Sequence, residues 1–272
     1  MLTLLKLLKD GRFHSGEALG AALGVSRSAV WKQLQHLEAE LNLPIHKVRG
    51  RGYQLASPLV LLSADEIARH VPAPAWPVHI FDSIDSTNAE ALRLIEAGCT
   101  APFLVLSEQQ TAGRGRRGRK WVSPFAQNVY YSLVLRIDGG MRQLEGLSLV
   151  VGLAVMQALR DAGVRSAGLK WPNDVLVEKK KIAGILLELI GDPADVCHVV
   201  LGIGINVNMQ KADEVDQQWT SVYLETGGAV DRNYLVARLG VQLQAYLDRH
   251  QSSGFSSIQS EWEQSHLWQG RP

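Results

Sequence analysis

The stretch Gln110-Thr111-Ala112-Gly113-Arg114-Gly115-Arg116-Arg117-Gly118-Arg119-Lys120-Trp121 decides how the chain is read. Gly113, Gly115 and Gly118 satisfy G-x-G-x-x-G by letter, and Asp138 follows about 20 residues on, as in a dinucleotide-binding fingerprint. That fingerprint must open a helix whose N-terminus holds a pyrophosphate. Here Trp121-Val122-Ser123-Pro124 follows, and then an extended run from Asn128 to Arg136. Five basic side chains within Arg114 to Lys120, with no acid among them, are also out of place at such a turn. A flexible basic loop that closes over a phosphate, with Trp121 free to stack on a base, accounts better for these residues.

Upstream, Val78-His79-Ile80-Phe81 and Phe103-Leu104-Val105-Leu106-Ser107 read as strands. Between them, Asp85-Ser86-Thr87-Asn88 precedes a helix with Thr87 and Glu90 spaced as a capping box. The polar cluster therefore sits where unpaired helix N–H groups can meet a polar ligand group. Downstream, Leu144, Leu147, Val151, Val155 and Leu159 recur along one side of a long helix. Next come Lys170-Trp171-Pro172-Asn173-Asp174, a turn at Glu178-Lys179-Lys180-Lys181, and a strand from Ile182-Ala183-Gly184 to Leu189. Of the lysine triplet, Lys181 lies nearest the strand and is the one able to point into a site. Gly202-Ile203-Gly204-Ile205-Asn206 closes a further strand whose glycines permit close approach of a flat ligand.

The first 55 residues have a different character. They carry Lys6, Lys9, Arg12, Arg27, Lys32, Lys47, Arg49 and Arg51 against Asp10, Glu17, Glu38 and Glu40, a local charge of +4. The whole 272-residue chain holds 28 Lys+Arg and 27 Asp+Glu, so the remainder sums to −3. Opposite halves of this kind point to two modules, one of which meets a polyanion. The boundary is expected near residue 60, with 1–60 and 61–272 as domains, close to Ala56-Ser57-Pro58 and the Pro-rich Val71 to Pro77.

Three helices are expected in the first module: one with Leu4, Leu5 and Leu8 inward, one capped by Ser15 with Ala18, Leu19, Ala22 and Leu23 inward, and one capped by Ser26. In the third, Val30, Leu34, Leu37 and Leu41 form the apolar face, leaving Arg27, Ser28, Trp31, Lys32 and Gln35 outward. Gly24-Val25 is the tight turn of a helix-turn-helix. Ile45 to Leu55 reads as a hairpin tipped by Arg49-Gly50-Arg51-Gly52, which completes a winged helix. Ser26, Arg27, Ser28, Trp31 and Lys32 would reach DNA bases and phosphates, and Lys47, Arg49 and Arg51 the phosphate backbone.

The composition is that of a folded chain, 46% hydrophobic and 20% charged. Apolar stretches of about ten residues, such as Leu147 to Met156, are too short to span a bilayer. Lys6 interrupts any signal-peptide core, and two cysteines, Cys99 and Cys197, make no metal cluster and fit a reducing compartment. A cytoplasmic protein with no membrane partner is the expectation.

Taken together, Asp85-Ser86-Thr87-Asn88, the Gly113–Trp121 loop, Lys170-Trp171-Pro172-Asn173-Asp174, Lys181 to Glu188 and Gly202 to Asn206 resemble, in order, the biotin–protein ligases, specifically the bifunctional ligases that double as biotin operon repressors. The resemblance implies an α+β fold: a winged helix-turn-helix followed by a mixed-sheet catalytic domain of the biotin/lipoate ligase type. It implies that biotin and ATP, with Mg²⁺, give biotinyl-5′-AMP, whose acyl group passes to a lysine of a biotin acceptor domain such as the carrier protein of acetyl-CoA carboxylase. By the same resemblance Ser86, Thr87, Asn88, Gln110, Gly113, Arg114, Gly115, Arg116, Lys181, Gly184 and Gly204 hold biotin. Arg116, Arg119, Trp121, Asn173 and Asn206 hold the adenylate, and Arg116, Lys181 and Asp174 carry the chemistry, with no metal ligand among the side chains. It further implies a ligand-promoted homodimer on a two-fold operator. A small C-terminal β domain would begin at about Trp268, and its absence from this chain is expected to impair ligation. Competing readings are a ligand-sensing repressor with an inactive ligase domain, a lipoate-type acyl ligase, and a dehydrogenase.

Overall fold

The computed structural model describes residues 2–41, 43–56, 58–71, 76–138, 143–192 and 196–268. Ser57, 72–75 and 269–272, named above for the linker and the chain's end, lie outside them. The chain divides into two units, Met1–Leu61 and Leu62–Pro272.

In the first unit, helices α1 (Leu2–Leu8), α2 (Gly16–Leu23) and α3 (Arg27–Leu41) precede an antiparallel hairpin of β1 (Ile45–Val48) and β2 (Gly52–Leu55). His14 pairs with Tyr53 through both backbone groups and adds a short third strand. Leu4, Leu5, Leu8, Leu19, Val30, Leu34, Leu37, Tyr53 and Leu55 form the core. Ser15 Oγ accepts from the Ala18 N–H at 3.0 Å and starts α2. Gly24 ends it in the left-handed region, φ 67°. The inward face of α2 differs from the expectation: Ala18 and Ala22 are exposed, whereas Gly16, Leu19 and Gly20 are buried. A Cβ on Gly20 would stand 2.7 Å from the Val25 carbonyl oxygen, so the following turn folds back onto the helix where only glycine fits. That close approach rotates the buried stripe to positions i, i+3 and i+4 from Gly16.

The second unit contains α4 (Ala64–Arg69), β3 (Val78–Phe81), α5 (Thr87–Glu96), β4 (Phe103–Ser107), β5 (Val129–Ile137), α6 (Leu147–Asp161), β6 (Ala167–Lys170), β7 (Asp174–Val177), β8 (Lys180–Gly191), β9 (Cys197–Ile205), α7 (Val222–Thr226), α8 (Arg232–Ser253) and α9 (Ser256–Ser265). Seven strands form one mixed sheet in the order β3-β4-β5-β9-β8-β7-β6, with β3 and β4 parallel and the other pairs antiparallel. Helix α6 is apolar nearly all round because it lies between the sheet and α8, burying Val150, Val151, Leu153, Ala154 and Val155. On the opposite face α5 packs Ala91 over Phe103, Val105, Val134 and Val200. The part of that face not covered by α5 carries the site.

One buried ion pair braces the loops that lead there. Arg232 Nη2 lies 2.7 Å from Glu108 Oε2, with the two side chains 1% and 2% exposed. Arg232 also donates to the Asn128 carbonyl, and Asn128 Oδ1 accepts from the Val207 N–H at 2.9 Å. Glu108 Oε1 accepts from the Leu62 N–H. A carboxylate is tolerated here because the Arg232 guanidinium offsets its charge and Oε1 accepts a hydrogen bond.

Candidate functional site

The floor of the site follows from strand alternation. Val199, Leu201, Ile203 and Ile205 of β9 join the core beneath α6 and α8, which leaves Gly202 and Gly204 on the other face. Gly204 pairs with Tyr130 on one side and Gly184 on the other, and Gly202 with Ser132 and Leu186. The glycines give up their side-chain volume to two residues lying over them. Asn88 occupies the space above Gly202, and a Cβ on Gly204 would stand 2.5 Å from the Trp121 indole. Trp121 also covers Gly184, at 3.1 Å from such a Cβ.

The polar end of the site is built at the start of α5. The Thr87 N–H and hydroxyl both donate to Gln110 Oε1, at 2.8 and 3.2 Å. Gln110 Nε2 donates to Ser123 Oγ at 3.1 Å. The capping box read from the sequence is not formed: Thr87 spends its hydroxyl on Gln110, and Glu90 pairs with Arg93. Ser86 is the N-cap residue but makes no side-chain capping bond, and it lines the cavity. Asp85 fixes this turn from below, accepting from the Ser86 N–H at 2.7 Å and from both terminal nitrogens of Arg93. The Arg93 guanidinium holds the Asp85 carboxyl down at about 2.

Lys181 reaches the site through a β-bulge. Val175 pairs with Ala183 and Leu176 with Lys181, so Ile182 is the extra residue. Ile182 points into the core, and Lys181 is turned onto the same face as Gly184, where its Nζ would stand 3.1 Å from a Cβ there. Lys181 Nζ lies 2.8 Å from Asp174 Oδ1 and 5.3 Å from the Trp121 ring centroid. The segment ending at Thr220 runs alongside, with the Lys181 N–H bonded to the Gln218 carbonyl and the Thr220 N–H to that of Lys181. Asn206 Nδ2 donates to the Thr220 carbonyl at 3.0 Å and holds this segment in place.

The basic loop is a tight hairpin, not an open coil. The Gly115 N–H bonds to the Arg119 carbonyl, the Trp121 N–H to that of Gly113, and a 3₁₀ turn spans Arg116–Gly118. Arg116 Nη1 donates to Asn173 Oδ1 at 2.9 Å, and Asn173 Nδ2 donates to the Ile185 carbonyl at 2.8 Å. Lys120 pairs with Glu214 at 2.8 Å.

Two adjoining cavities result. The first, about 50 Å³, is narrowed by Trp121 and is lined by Ser86, Thr87, Asn88, Gln110, Arg114, Gly115, Arg116, Lys181, Gly184 and Gly204 among others. The second, about 510 Å³, is lined by Arg116, Arg119, Trp121, Asn173, Asp174, Lys181 and Asn206, with Trp171, Asp216 and Trp219 on its walls. Arg116, Trp121, Asn173 and Lys181 face both. Gly113 lines neither; a Cβ there would meet the Trp121 carbonyl and Ser123 Oγ, so it serves the hairpin's closure. Tyr130 lines the first cavity, Trp219 the second, and Ser132 and Glu188 bond to Asn88; none of these four was given a role from the sequence. Strand alternation could have found Tyr130 and Ser132 only once β5 was registered against β9.

In the first unit, Ser26, Arg27, Ser28, Trp31 and Lys32 are exposed at the start of α3, and Lys47, Arg49 and Arg51 are exposed on the hairpin. Ser26 Oγ accepts from the Ala29 N–H, so that hydroxyl caps α3. Lys47 Nζ stands 5.7 Å from the Trp31 ring centroid, and Arg51 lies 4.1 Å over Phe13, which presents helix and wing as one basic surface.

Comparison with known proteins agrees with this geometry. The biotin/lipoate A/B protein ligase family matches residues 80–206, and a helix-turn-helix domain family matches 1–54. The bifunctional ligase/repressor BirA of Salmonella typhimurium is 41% identical, covering 100% of this chain and 84% of that protein. BirA of Bacillus subtilis is 34% identical, covering 92% and 78%. The solved biotin protein ligase from Aquifex aeolicus, in complex with biotin and ATP, superposes with a TM-score of 0.61 at 30% identity over 71% of this chain and 79% of that one. With a helix-turn-helix family matched over 1–54, a ligase family over 80–206 and a 41% identical relative across the whole chain, this protein belongs to the family of bifunctional biotin ligase/repressors.

Proposed function

We propose that the chain activates biotin as biotinyl-5′-AMP, passes the biotinyl group to a lysine of an acceptor protein, and represses transcription through its winged helix when the adenylate is bound. The observation that supports this most directly is the meeting of Lys181, Arg116, Asn173 and Trp121 at the junction of a narrow cavity and a larger one, with Asp174 on the wall of the larger cavity and 2.8 Å from Lys181. Biotin's bicyclic ring would enter the first cavity, with its ureido group at Ser86, Thr87, Asn88 and Gln110 and its tail along Gly184 and Gly204. The nucleotide would fill the second, against Trp121, Arg119 and Asn206.

In the first step a carboxylate oxygen of biotin attacks the α-phosphorus and pyrophosphate departs. Two anions must be brought together, and Lys181 and Arg116 offset their charge at the point of attack. In the second step the acceptor's amine attacks the acyl carbon and AMP leaves. Asp174 orients that amine and accepts its proton, exchanging its present bond to Lys181 for one to the incoming nitrogen. The hairpin Gly113–Trp121 shields the mixed anhydride from water.

Magnesium enters this reading as part of the nucleotide substrate. Among the described residues no group of three or more His, Cys, Asp or Glu could hold a resident ion, and Mg²⁺ is commonly carried by phosphate oxygens with one or two carboxylates. Asp216, on the wall of the larger cavity, is suitably placed for that contact. The acceptor is read as a biotin carboxyl carrier domain and the DNA-bound form as a homodimer. The free thiols of Cys99 and Cys197 fit a cytoplasmic setting. No helix among the described residues is long and apolar enough to cross a membrane.

Incubation with biotin and MgATP, followed by native mass spectrometry, tests the reading. A retained mass equal to biotinyl-AMP is expected, with pyrophosphate released. Pyrophosphate release with lipoate but not biotin, or no release with either, overturns it.

A further inference from the structure

Glu188 of β8 has no part in the readings above, yet it touches two parts of the site at once. Its Oε2 accepts from Asn88 Nδ2 at 2.6 Å, and Arg114 Nη2 in the hairpin loop stands 3.4 Å from each carboxylate oxygen. Asn88 is nearly saturated by its neighbours. Its amide nitrogen also donates to the Leu186 carbonyl at 3.4 Å, and its Oδ1 accepts from the Ser132 hydroxyl at 2.6 Å. A carboxamide has two N–H donors and one oxygen with two lone pairs. Both donors are engaged, so the single remaining capacity of Asn88 is one lone pair on Oδ1, above Gly202.

A carboxylate can only accept. Glu188 therefore disfavours the flipped amide, which would set Oδ1 against a carboxylate oxygen and the Leu186 carbonyl and leave the nitrogen facing Ser132. We infer that Glu188 is the positioning residue that makes Asn88 an acceptor, and only an acceptor, for a ligand N–H, and that through Arg114 it ties the basic loop to that same end of the ligand. The ligand chemistry this selects is a cyclic urea, whose N–H donates; a dithiolane ring offers no such proton. The inference rests on the biotin reading and assigns the discrimination at its ring end to a residue that does not touch the ligand.

The test compares the full-length chain with Glu188→Gln, Asn88→Asp and the double variant, measuring kcat and KM for biotin in pyrophosphate release together with thermal stability. A glutamine at 188 can present its own N–H₂ and leaves only the longer contact with the Leu186 carbonyl to oppose a flip of the Asn88 amide. KM for biotin should rise about tenfold while kcat stays within about twofold, the loss of one oriented hydrogen bond. Asn88→Asp alone sets two carboxylates together and should raise KM further. In the double variant the introduced aspartate accepts from both Ser132 and the introduced glutamine, and KM should return to within about threefold of the starting value. An unchanged KM in Glu188→Gln overturns the inference alone. A common fall in stability and kcat that the double variant does not recover overturns it too, leaving Glu188 a merely structural residue. Absence of pyrophosphate release from the unaltered chain overturns the biotin reading and this inference with it.

Discussion

Lys181 Nζ and Asp174 Oδ1 lie 2.8 Å apart with both side chains less than one-fifth exposed, so the two groups assigned opposite tasks in the reaction neutralise each other before substrate arrives. Neither charge is stranded in the half-buried cavity, and each is released to its own step by a partner of the right sign: the phosphate for Lys181, the acceptor's amine for Asp174. The pairing predicts separable defects. Lys181→Ala should slow biotinyl-AMP formation by about 10²–10³-fold, the usual loss on removing one preorganised electrostatic contact. Asp174→Asn should leave adenylate formation within a few fold and slow transfer to an acceptor lysine by about 10²-fold or more. Single-turnover measurement of the two steps checks this; a mutant pair with identical profiles would contradict the division of labour.

A second prediction concerns the floor. Gly204 faces Trp121 so closely that a methyl group there would stand 2.5 Å from the indole. Gly204→Ala should displace Trp121 from the sheet and move its fluorescence, while the strand pairing, Gly204 with Tyr130 and Gly184, is kept because β9 is extended there. Binding of ATP should weaken by about tenfold, given the usual worth of stacking on an aromatic face. Fluorescence titration with nucleotide gives the result directly, and an unchanged emission spectrum would show that the ring does not rest on this glycine in solution.

Much of this site was legible in the sequence and some of it was not, for physical reasons that differ residue by residue. Gly184 and Gly204 could be read as places of close approach because a glycine in a strand has few other uses. Arg116 and Trp121 could be read because a basic, glycine-spaced loop without a following helix leaves few alternatives. Lys181 was singled out as nearest its strand, but its true placement depends on the bulge at Ile182, which exists only through pairing between β7 and β8. The capping box failed because Gln110, 23 residues away, competes for Thr87. Ser132, Glu188 and Tyr130 come from strands whose register is a long-range property, and no local pattern marks them. In α2 Leu19 is buried as expected, but Ala18 and Ala22 face outward, because Gly20 packs against its own turn and takes their place.

The third prediction is a pH dependence. Asp85 titrates at about 2 in the folded chain against 3.8 ordinarily, chiefly through its hydrogen bonds with Arg93. A depressed carboxylate stabilises the fold above its unfolded value, and this contribution is lost as pH falls through about 2. Arg93→Met should return the carboxyl toward 3.8, so that this contribution is missing at neutral pH and the variant loses less stability than the parent chain as pH falls from about 4 to about 2. Both side chains are nearly half exposed, so the loss at neutral pH should stay below about 1 kcal/mol. The local consequence is larger, because Asp85 Oδ1 holds the Ser86 N–H. Thermal melts from about pH 2 to 5, with biotin affinity measured alongside, should show parent and variant converging in acid and weaker biotin binding by the variant; a stability difference that stays constant across that range would contradict the pairing.

The last prediction separates the two units. Lys32, Lys47, Arg49 and Arg51 are exposed on α3 and the β1–β2 hairpin, whereas the groups proposed for catalysis all belong to the second unit. Each cation that neutralises one phosphate should add about 0.9 to the slope of log affinity against log salt. Arg49→Ala should therefore weaken binding to operator and to random duplex alike and lower the salt slope by about one. Trp31→Ala, by contrast, should weaken the operator more than random sequence if, as proposed, the start of α3, where Trp31 is exposed, reads the bases. In both variants adenylate formation should be unaltered. Fluorescence anisotropy across a salt series, on operator and scrambled duplexes, measures both quantities. A salt slope unmoved by Arg49→Ala would mean that the wing stays clear of the phosphates, and the docking would then rest on α3 alone.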